Sequence, residues 1–370
     1  MSPPIVPPAT IGVLGGGQLG RYTVVAARLM GYGTVVLEPD ATAPAGRVAD
    51  LHVVAPYDDP DAVDQLAARC AVVTTEFENP PAGTLERLAR DVVVAPSAAA
   101  VAVAQDRLAE KRFLRGLGVP TAPWTPGDEG QVVFPAIVKT ARLGYDGKGQ
   151  VAVADEDELT AALAELGVEC VVEQRVPLDV EISVIVARTS DGRTATYPVA
   201  ENHHVAGILD LTVVPARIAP ERAVEAEGLA VRLAEALDYV GVLAVEMFVS
   251  AGALLVNELA PRPHNSGHWT LDASVTSQFA QQVRAVCGLA LGATAVTGGG
   301  AAAMVNLLGD RWARGEPDWA VALADPAARL HLYGKAEARP GRKMGHLTLL
   351  GAAADEVAAR ALALREAVTR

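Results

Sequence analysis

Five short runs of β-branched and other apolar residues, at 11–14, 34–37, 51–54, 71–75 and 92–95, recur through the first hundred residues. The segments between them are long enough for crossover helices. That alternation predicts a parallel sheet, because parallel neighbours must be joined by a crossover connection. Pro96-Ser97 then opens a helix expected to run to about residue 117, stopped by Gly118 and Pro120.

From residue 134 the pattern becomes strand-rich α+β. Strands are predicted at 136–140, 150–154, 169–174, 180–187, 242–249 and 253–259, with helices over 221–239 and 277–287. These read as one continuous unit. The run Gly298-Gly299-Gly300 marks an expected boundary, after which a small third section follows. A chain of 370 residues exceeds the size at which one core stops growing, so two or three domains fit it.

The net charge of −13 excludes a general nucleic-acid surface, which needs a basic stripe to displace counterions. Three well-separated cysteines, Cys70, Cys170 and Cys287, form no C-x-x-C pair and suit a reducing compartment. Residues 1–8 hold four prolines and read as a disordered tail rather than a signal peptide. No run of 18 apolar residues occurs, so no membrane partner and a cytoplasmic location are expected.

Gly15-Gly16-Gly17-Gln18-Leu19-Gly20 follows a strand and opens a helix, with Glu38 about twenty residues on. This is the setting of an NAD fingerprint; equally, the glycines permit a tight turn whose amides face a small anion. A second loop, Gly144-Tyr145-Asp146-Gly147-Lys148-Gly149, sits between two strands, the first ending in Lys139. Its amides can fold over polyphosphate oxygens while the lysine supplies a point charge, or it is a mobile hairpin with a solvated lysine. Neither a P-loop nor a kinase glycine motif is present.

Val245-Glu246-Met247-Phe248-Val249 and Leu254-Leu255-Val256-Asn257-Glu258-Leu259 flank a short glycine-containing turn and predict an antiparallel hairpin. With the turn centred on Gly252, Glu246 and Glu258 face one another with Cβ atoms about 5 Å apart. Two carboxylates among apolar neighbours are costly unless a cation lies between them, and Mg²⁺ is the natural occupant. Asn257 points to the other face of a regular strand, joining the site only at a bulge. The alternative is a slipped register with one Glu paired to an Arg. After the hairpin, His264 and His268 have the spacing of a helical zinc pair, but Pro263 and Gly267 disfavour a helix. Lys335 and Arg339-Pro340-Gly341-Arg342-Lys343 form a basic cluster that suits a phosphate monoester or a solvated turn.

Taken together, these blocks resemble the ATP-grasp ligases, and among them the 5-(carboxyamino)imidazole ribonucleotide synthases. The likeness runs from Gly15-Gly16-Gly17-Gln18-Leu19-Gly20-Arg21 to Arg339-Pro340-Gly341-Arg342-Lys343-Met344-Gly345-His346. It is most specific at the second glycine loop through Gln150 and at Asn257-Glu258-Leu259-Ala260-Pro261-Arg262-Pro263-His264-Asn265-Ser266-Gly267-His268-Trp269-Thr270.

The resemblance implies an α/β and α+β chain with an ATP-grasp fold. An N-terminal parallel-sheet pre-grasp domain would span 1–100 and the grasp 101–295, with a lid at about 120–178. A C-terminal section, 296–370, would complete the substrate site. ATP and Mg²⁺ are the implied cofactors. Arg107, Lys139, Gly144, Tyr145, Asp146, Gly147, Lys148, Gly149 and Gln150 would meet phosphates. Glu173, Gln174, Arg175 and Val176 would form the adenine hinge, and Glu181 would meet the ribose. His204 would lie near the nucleotide, with the partner of the adjacent His203 left open. Glu246 and Glu258 would hold the metal, Asn257 beside them.

Aminoimidazole ribonucleotide would meet Gln18, Leu19, Glu76, Asn265, Lys335, Arg342 and Lys343, which reassigns the first glycine loop from NAD. Asp146, Lys139 and Arg262 are the implied catalytic residues. Small-molecule substrates including bicarbonate, a homodimer and a separate mutase acting on the product complete the expectation. Its rivals are a formate-dependent phosphoribosylglycinamide transformylase, disfavoured by Gln18 and Asn265-Ser266, an NAD-dependent oxidoreductase, and a nucleotide sensor without catalysis.

Overall fold

The structure, a computed structural model, describes residues 3–127, 130–144 and 147–368. The N-terminal parallel sheet forms from β1 (Thr10–Leu14), β2 (Gly33–Leu37), β3 (Leu51–Val53), β4 (Val72–Thr75) and β5 (Val93–Val94), ordered β3-β2-β1-β4-β5. Around it lie α1 (Gln18–Leu29), α2 (Pro60–Arg69) and α3 (Ala82–Leu88). The β2–β3 connection holds no helix, contrary to expectation. Residues 38–50 contain Pro39, Pro44 and Gly46, and Asp40 turns the chain by accepting from the Thr42 N–H at 2.8 Å. The proline-rich N-terminus is also not a free tail from residue 3 onward. The Ile5 N–H donates to the Cys287 carbonyl at 2.9 Å, and the Tyr32 hydroxyl donates to the Ile5 carbonyl at 2.7 Å.

The helix expected over 96–117 is two helices, α4 (Ala98–Gln105) and α5 (Arg107–Gly116). Asp106 divides them: its extended backbone ends α4 while its Oδ1 accepts from the N–H groups of Leu108 and Ala109, both at 3.0 Å. An N-cap acceptor of this kind contributes about 1 kcal/mol. Asp106→Ala is therefore expected to lower stability in urea unfolding by about that amount; an unchanged midpoint would mean that the break is set elsewhere.

A four-stranded sheet follows, made of β6 (Trp124–Pro126), β7 (Ala136–Thr140), β8 (Gln150–Val153) and β9 (Cys170–Gln174) in the order β6-β9-β7-β8. Helix α6 (Glu156–Leu166) closes its core through Leu159 and Ala162 against Ala136, Val138 and Val172.

The largest sheet has nine strands among the described residues. It begins with β10 (Val180–Arg188), β11 (Thr194–Thr196), β12 (Ala200–Val205) and β13 (Ile208–Val214), then α7 (Pro220–Ala236) leads to β14 (Gly241–Ser250) and β15 (Ala253–Ala260). Helices α8 (Thr270–Ala273) and α9 (Gln278–Val286) precede β16 (Ala301–Leu308), α10 (Trp319–Leu323), β17 (Ala328–Leu332), β18 (Lys343–Gly351) and α11 (Ala354–Ala367). Strand order is β15-β14-β10-β12-β13-β16-β18-β17, with β11 also on β10. Because β16 hydrogen-bonds to β13, this sheet continues across the Gly298-Gly299-Gly300 run.

Helix α7 buries Ala226, Ala230, Leu233 and Ala234, a spacing of i, i+4, i+7, i+8, against Val184, Val245 and Val256. A fully buried leucine such as Leu233 contributes about 1.5–3 kcal/mol. The N-terminal sheet docks through α1 onto α9, where Phe279 and Val283 meet Ile11 and Ala27. No helix among the described residues is long and apolar enough to cross a membrane.

Candidate active site

The β14–β15 hairpin turns on Ala251 and Gly252, at φ 48° and 74°, with Ser250 opposite Ala253. Regular pairing runs back to Met247 opposite Val256 and, if continued, would set Glu246 against Asn257. Instead the register shifts by one residue and Glu246 faces Glu258. The expected juxtaposition is present, but for a different reason: the turn is centred half a residue earlier, and a bulge at Asn257 compensates. The bulge also brings Asn257 to the site, where its Oδ1 accepts from Lys139 Nζ at 3.3 Å.

Arg107 Nη1 donates to Glu258 Oε2 at 2.6 Å, and its Nη2 donates to the Gly144 carbonyl at 3.5 Å. Burial opposes ionisation of Glu258, yet Arg107, with Lys139 and His264, holds its carboxyl down at about 2. Glu246 also stays below the usual carboxylate range despite burial, because His264 Nε2 lies 2.9 Å from its Oε1. Two carboxylates and an amide oxygen on one face make an all-oxygen donor set, which fits a hard divalent cation such as Mg²⁺. His264 and His268 do not form a zinc pair: His268 Nδ1 instead meets Gln278 Nε2 at 3.2 Å.

Lys139 reaches from β7 across to β15 and also donates to Glu173 Oε2 at 2.9 Å. Lys111, which the sequence reading missed, sits 3.2 Å from Glu173 Oε1 and donates to the Asn257 carbonyl at 3.0 Å. Glu110, also missed, accepts from the Leu259 N–H at 2.5 Å. Burial pushes Glu110 up to about 8, although Lys111 and Arg107 pull against it. The Glu173 side chain is thus committed to lysines, and the N–H groups of Gln174 and Arg175 donate to the Pro123 and Pro135 carbonyls, both at 2.8 Å.

Tyr145 and Asp146 lie outside the described residues. Of the rest of that loop, Lys148 and Gln150 are exposed, and Gly147 and Gly149 have φ of 76° and 69°. A Cβ on Gly147 would come 3.1 Å from the Ala206 carbonyl, so the glycine loop lies against the β12–β13 turn. Glu181 Oε2 is 2.7 Å from His204 Nδ1. Burial opposes protonation of His204, but Glu181 and Glu246 outweigh it and raise its pKa. The adjacent His203 goes elsewhere, 2.8 Å from Glu201 Oε1.

Lys335 Nζ donates to Gln18 Oε1 at 2.6 Å and to the Lys343 carbonyl at 2.7 Å. The basic cluster therefore meets the start of α1. Arg342 Nη1 donates to the Glu337 carbonyl at 2.8 Å. Leu19 is 8 % exposed and packs in the core. Asn265 and Asn306 exchange amide hydrogen bonds at 3.1 and 2.6 Å; Asn306 was not foreseen. Arg262 pairs with Glu78 and donates to the Pro263 carbonyl at 3.1 Å.

The first glycine loop is occupied by the protein's own carboxylates. Glu76 accepts from the N–H groups of Gly17 and Gly20 at 2.9 and 3.0 Å, and Glu38 accepts from Gly16 at 2.8 Å. A dinucleotide pyrophosphate would need those same amides, which removes the NAD reading. Burial raises Glu76 above the usual range, while Gly20 and Gly17 draw it down.

A further cluster places donor atoms of Asp272, His331 and His346 within 4.8 Å of one another. The imidazoles of His331 and His346 stack at 4.5 Å with 11° between planes. A ligated ion lies in the plane of each imidazole, and near-parallel planes share no such point. The group is an Asp272–His331 pair, 2.8 Å apart, stacked on His346, which burial holds well below its ordinary pKa.

Three domain families match in succession along the chain: the ribonucleotide synthetase preATP-grasp domain at residues 8–105, the ATP-grasp domain at 123–279, and the phosphoribosylaminoimidazole carboxylase C-terminal domain at 302–360. The N5-carboxyaminoimidazole ribonucleotide synthase of Brucella melitensis biotype 1 is 46% identical over 354 residues, covering 92% of this chain and 96% of that protein. The chain belongs to the N5-carboxyaminoimidazole ribonucleotide synthase family. The synthase of Bacillus subtilis strain 168 is 44% identical, over 95% of this chain and 94% of its own length.

Solved members of the synthase family superimpose closely. An ADP complex matches with a TM-score of 0.92 at 40% identity, covering 100% of both chains. The Aspergillus clavatus synthase, solved with ADP and 5-aminoimidazole ribonucleotide, matches with a TM-score of 0.87 at 31% identity, covering 97% of this chain and 98% of that one.

Proposed function

We propose that this protein carboxylates the exocyclic amine of 5-aminoimidazole ribonucleotide, using ATP and bicarbonate, to form N5-carboxyaminoimidazole ribonucleotide in purine biosynthesis. The observation that carries this reading is the bulged hairpin, which sets Glu246, Asn257 and Glu258 on one face beneath Lys139 and Arg107. The ADP and ribonucleotide held by the Aspergillus clavatus relative are of the kinds this arrangement suits.

Bound Mg²⁺ would neutralise charge on the triphosphate. Glu246 and Glu258 would hold it, with Asn257 beside them. Lys139 and Arg107 would leave Glu173 and Glu258 in part to meet phosphate oxygens, and the glycine loop from Gly144 to Gln150 would cover them. A bicarbonate oxygen attacks the γ-phosphorus, the bond to the β-phosphate oxygen breaks, and ADP leaves carboxyphosphate. The ribonucleotide amine then takes the carboxyl group, releasing phosphate and a proton. No covalent protein intermediate is needed, since such phosphoryl transfers run on positioning and charge stabilisation. Asp146 is the proposed proton acceptor, and Arg262 is proposed to orient the carboxyl group. Lid closure would exclude water from the labile intermediate.

Gln18, Lys335, Lys343 and Arg342 are proposed to hold the ribonucleotide phosphate side, with Glu76, Asn265 and the Leu19 backbone completing that subsite. Glu173 to Val176, Glu181 and His204 would hold adenosine. The domain limits 1–100, 101–295 and 296–370, a cytoplasmic location, a homodimer and a separate mutase acting on the product belong to the same proposal. ADP release that requires both bicarbonate and the aminoimidazole ribonucleotide is the expected result. Turnover supported instead by formate and glycinamide ribonucleotide would overturn it.

A further inference from the structure

The bulge in β15 sets a chemical demand that the hairpin does not meet by itself. Val256 and Leu259 both face the core under α7, although three positions apart in a strand they should face opposite ways. Only an inserted residue between them allows it, and Asn257 and Glu258 are thereby both turned to the cleft. β15 is the edge of its sheet as well as bulged, so backbone groups along this stretch lack ladder partners, and orphaned polar groups in a buried strand are costly.

One helix supplies what is missing. Arg107, Glu110 and Lys111 on α5 stand at i, i+3 and i+4, so their side chains leave the helix on one face. Lys111 donates to the carbonyl of Asn257 at 3.0 Å, Glu110 accepts the N–H of Leu259 at 2.5 Å, and Arg107 meets the carboxylate between them at 2.6 Å. An ammonium serves the carbonyl and a carboxyl oxygen serves the amide, residue by residue along the strand. Glu110 and Lys111 are 2 % and 1 % exposed, in a position where apolar side chains would ordinarily pack.

We propose that α5 is a register clamp: Glu110 and Lys111 are positioning residues that hold the Asn257 bulge, and so keep Glu258 opposite Glu246. This rests on the reading of Glu258 as a magnesium ligand. Neither residue needs to touch metal or substrate. They act on the backbone at positions 257 and 259, and the carboxylate between those positions is aimed as a result.

The test uses the full-length enzyme and follows the Mg²⁺ concentration giving half-maximal ADP release. Glu110→Met, which removes the acceptor for Leu259, is expected to raise that concentration by about tenfold or more, the usual cost of losing an outer-shell partner of a metal ligand. The KM for the aminoimidazole ribonucleotide should stay within about twofold of wild type, since that subsite is held by other elements and distant sites couple weakly. Glu110→Gln, whose amide oxygen still accepts, should recover most of the loss. A Mg²⁺ response unchanged in Glu110→Met, or equal damage in Glu110→Gln, overturns the clamp.

Glu258→Gln measured alongside separates the two levels. If that variant keeps the wild-type Mg²⁺ response, the metal reading itself fails; if it loses the response while Glu110→Met keeps it, the clamp alone fails. Should Glu110→Met lose its cooperative thermal transition, Lys111→Met in the same titration decides. Fast hydrogen exchange at the Leu259 amide of the wild-type protein would overturn the proposal without any variant.

Discussion

Glu246→Gln is expected to lower bicarbonate-dependent ADP release by about 10²–10³-fold, the range seen when one preorganised charge-stabilising group is removed. The amide preserves side-chain volume and can still meet His264, which lies 2.9 Å from the carboxylate now. What it removes is half of the negative charge that faces the cleft from the hairpin. Glu258 opposes ionisation of Glu246, but His264 outweighs it and holds the carboxyl below the usual range, so the amide gives up a net favourable charge contact. Thermal stability should therefore fall slightly at neutral pH while activity falls far more. Steady-state kinetics and a melting curve on the same sample check both halves; retained turnover would remove Glu246 from the metal site.

The largest stability effect is expected at Glu173. Its carboxylate lies 2.9 Å from Lys139 and 3.2 Å from Lys111, and all three side chains are buried. Glu173→Gln leaves two buried ammonium groups without their counter-charge, and breaking a buried pair in this way costs about 3–5 kcal/mol. Burial alone would raise the Glu173 pKa, but Lys139 and Lys111 overcome it and bring it down to about 2. A carboxyl depressed in the folded state stabilises above its unfolded value and loses that contribution as pH falls through the folded one. The gap between wild type and Glu173→Gln in urea unfolding should be full at pH 7 and should close from about pH 4.3 downward toward 2. A gap below about 1 kcal/mol at pH 7, the worth of a surface pair, would show that the lysines relax into solvent.

Strands were legible where neighbouring residues are mostly apolar or β-branched. The runs that became β1, β2, β4, β7 and β14 announce themselves because a strand buried on both faces has no other composition open to it. Strand β12 went unread because it reads Ala-Glu-Asn-His-His-Val, polar at its four central positions. Its polar groups are satisfied only in the fold: Glu201 by Arg217, and Asn202 by Ser183 at 2.9 Å and Thr212 at 3.1 Å. Helix α5 misled for a related reason. A charged face at i, i+3, i+4 ordinarily meets water, and only the docking of β15 turns it inward. The bulge did leave one local sign, the polar pair Asn257-Glu258 between Val256 and Leu259, which breaks the two-residue alternation.

By itself the sequence determined that a parallel sheet opens the chain, that one hairpin carries two glutamates on its facing strands, and that two glycine loops follow strands. Those features depend on neighbours a few residues apart, whose geometry backbone sterics and side-chain periodicity already settle. Tertiary structure decided everything that depends on charge meeting charge. Arg107 reaches Glu258 across 151 positions, Glu110 reaches the Leu259 amide across 149, and Lys335 reaches Gln18 across 317. An ionisable side chain has the same chemistry in solvent and in a cleft. Its role is set by which distant partner and how little water the fold brings to it, and no local pattern carries that information.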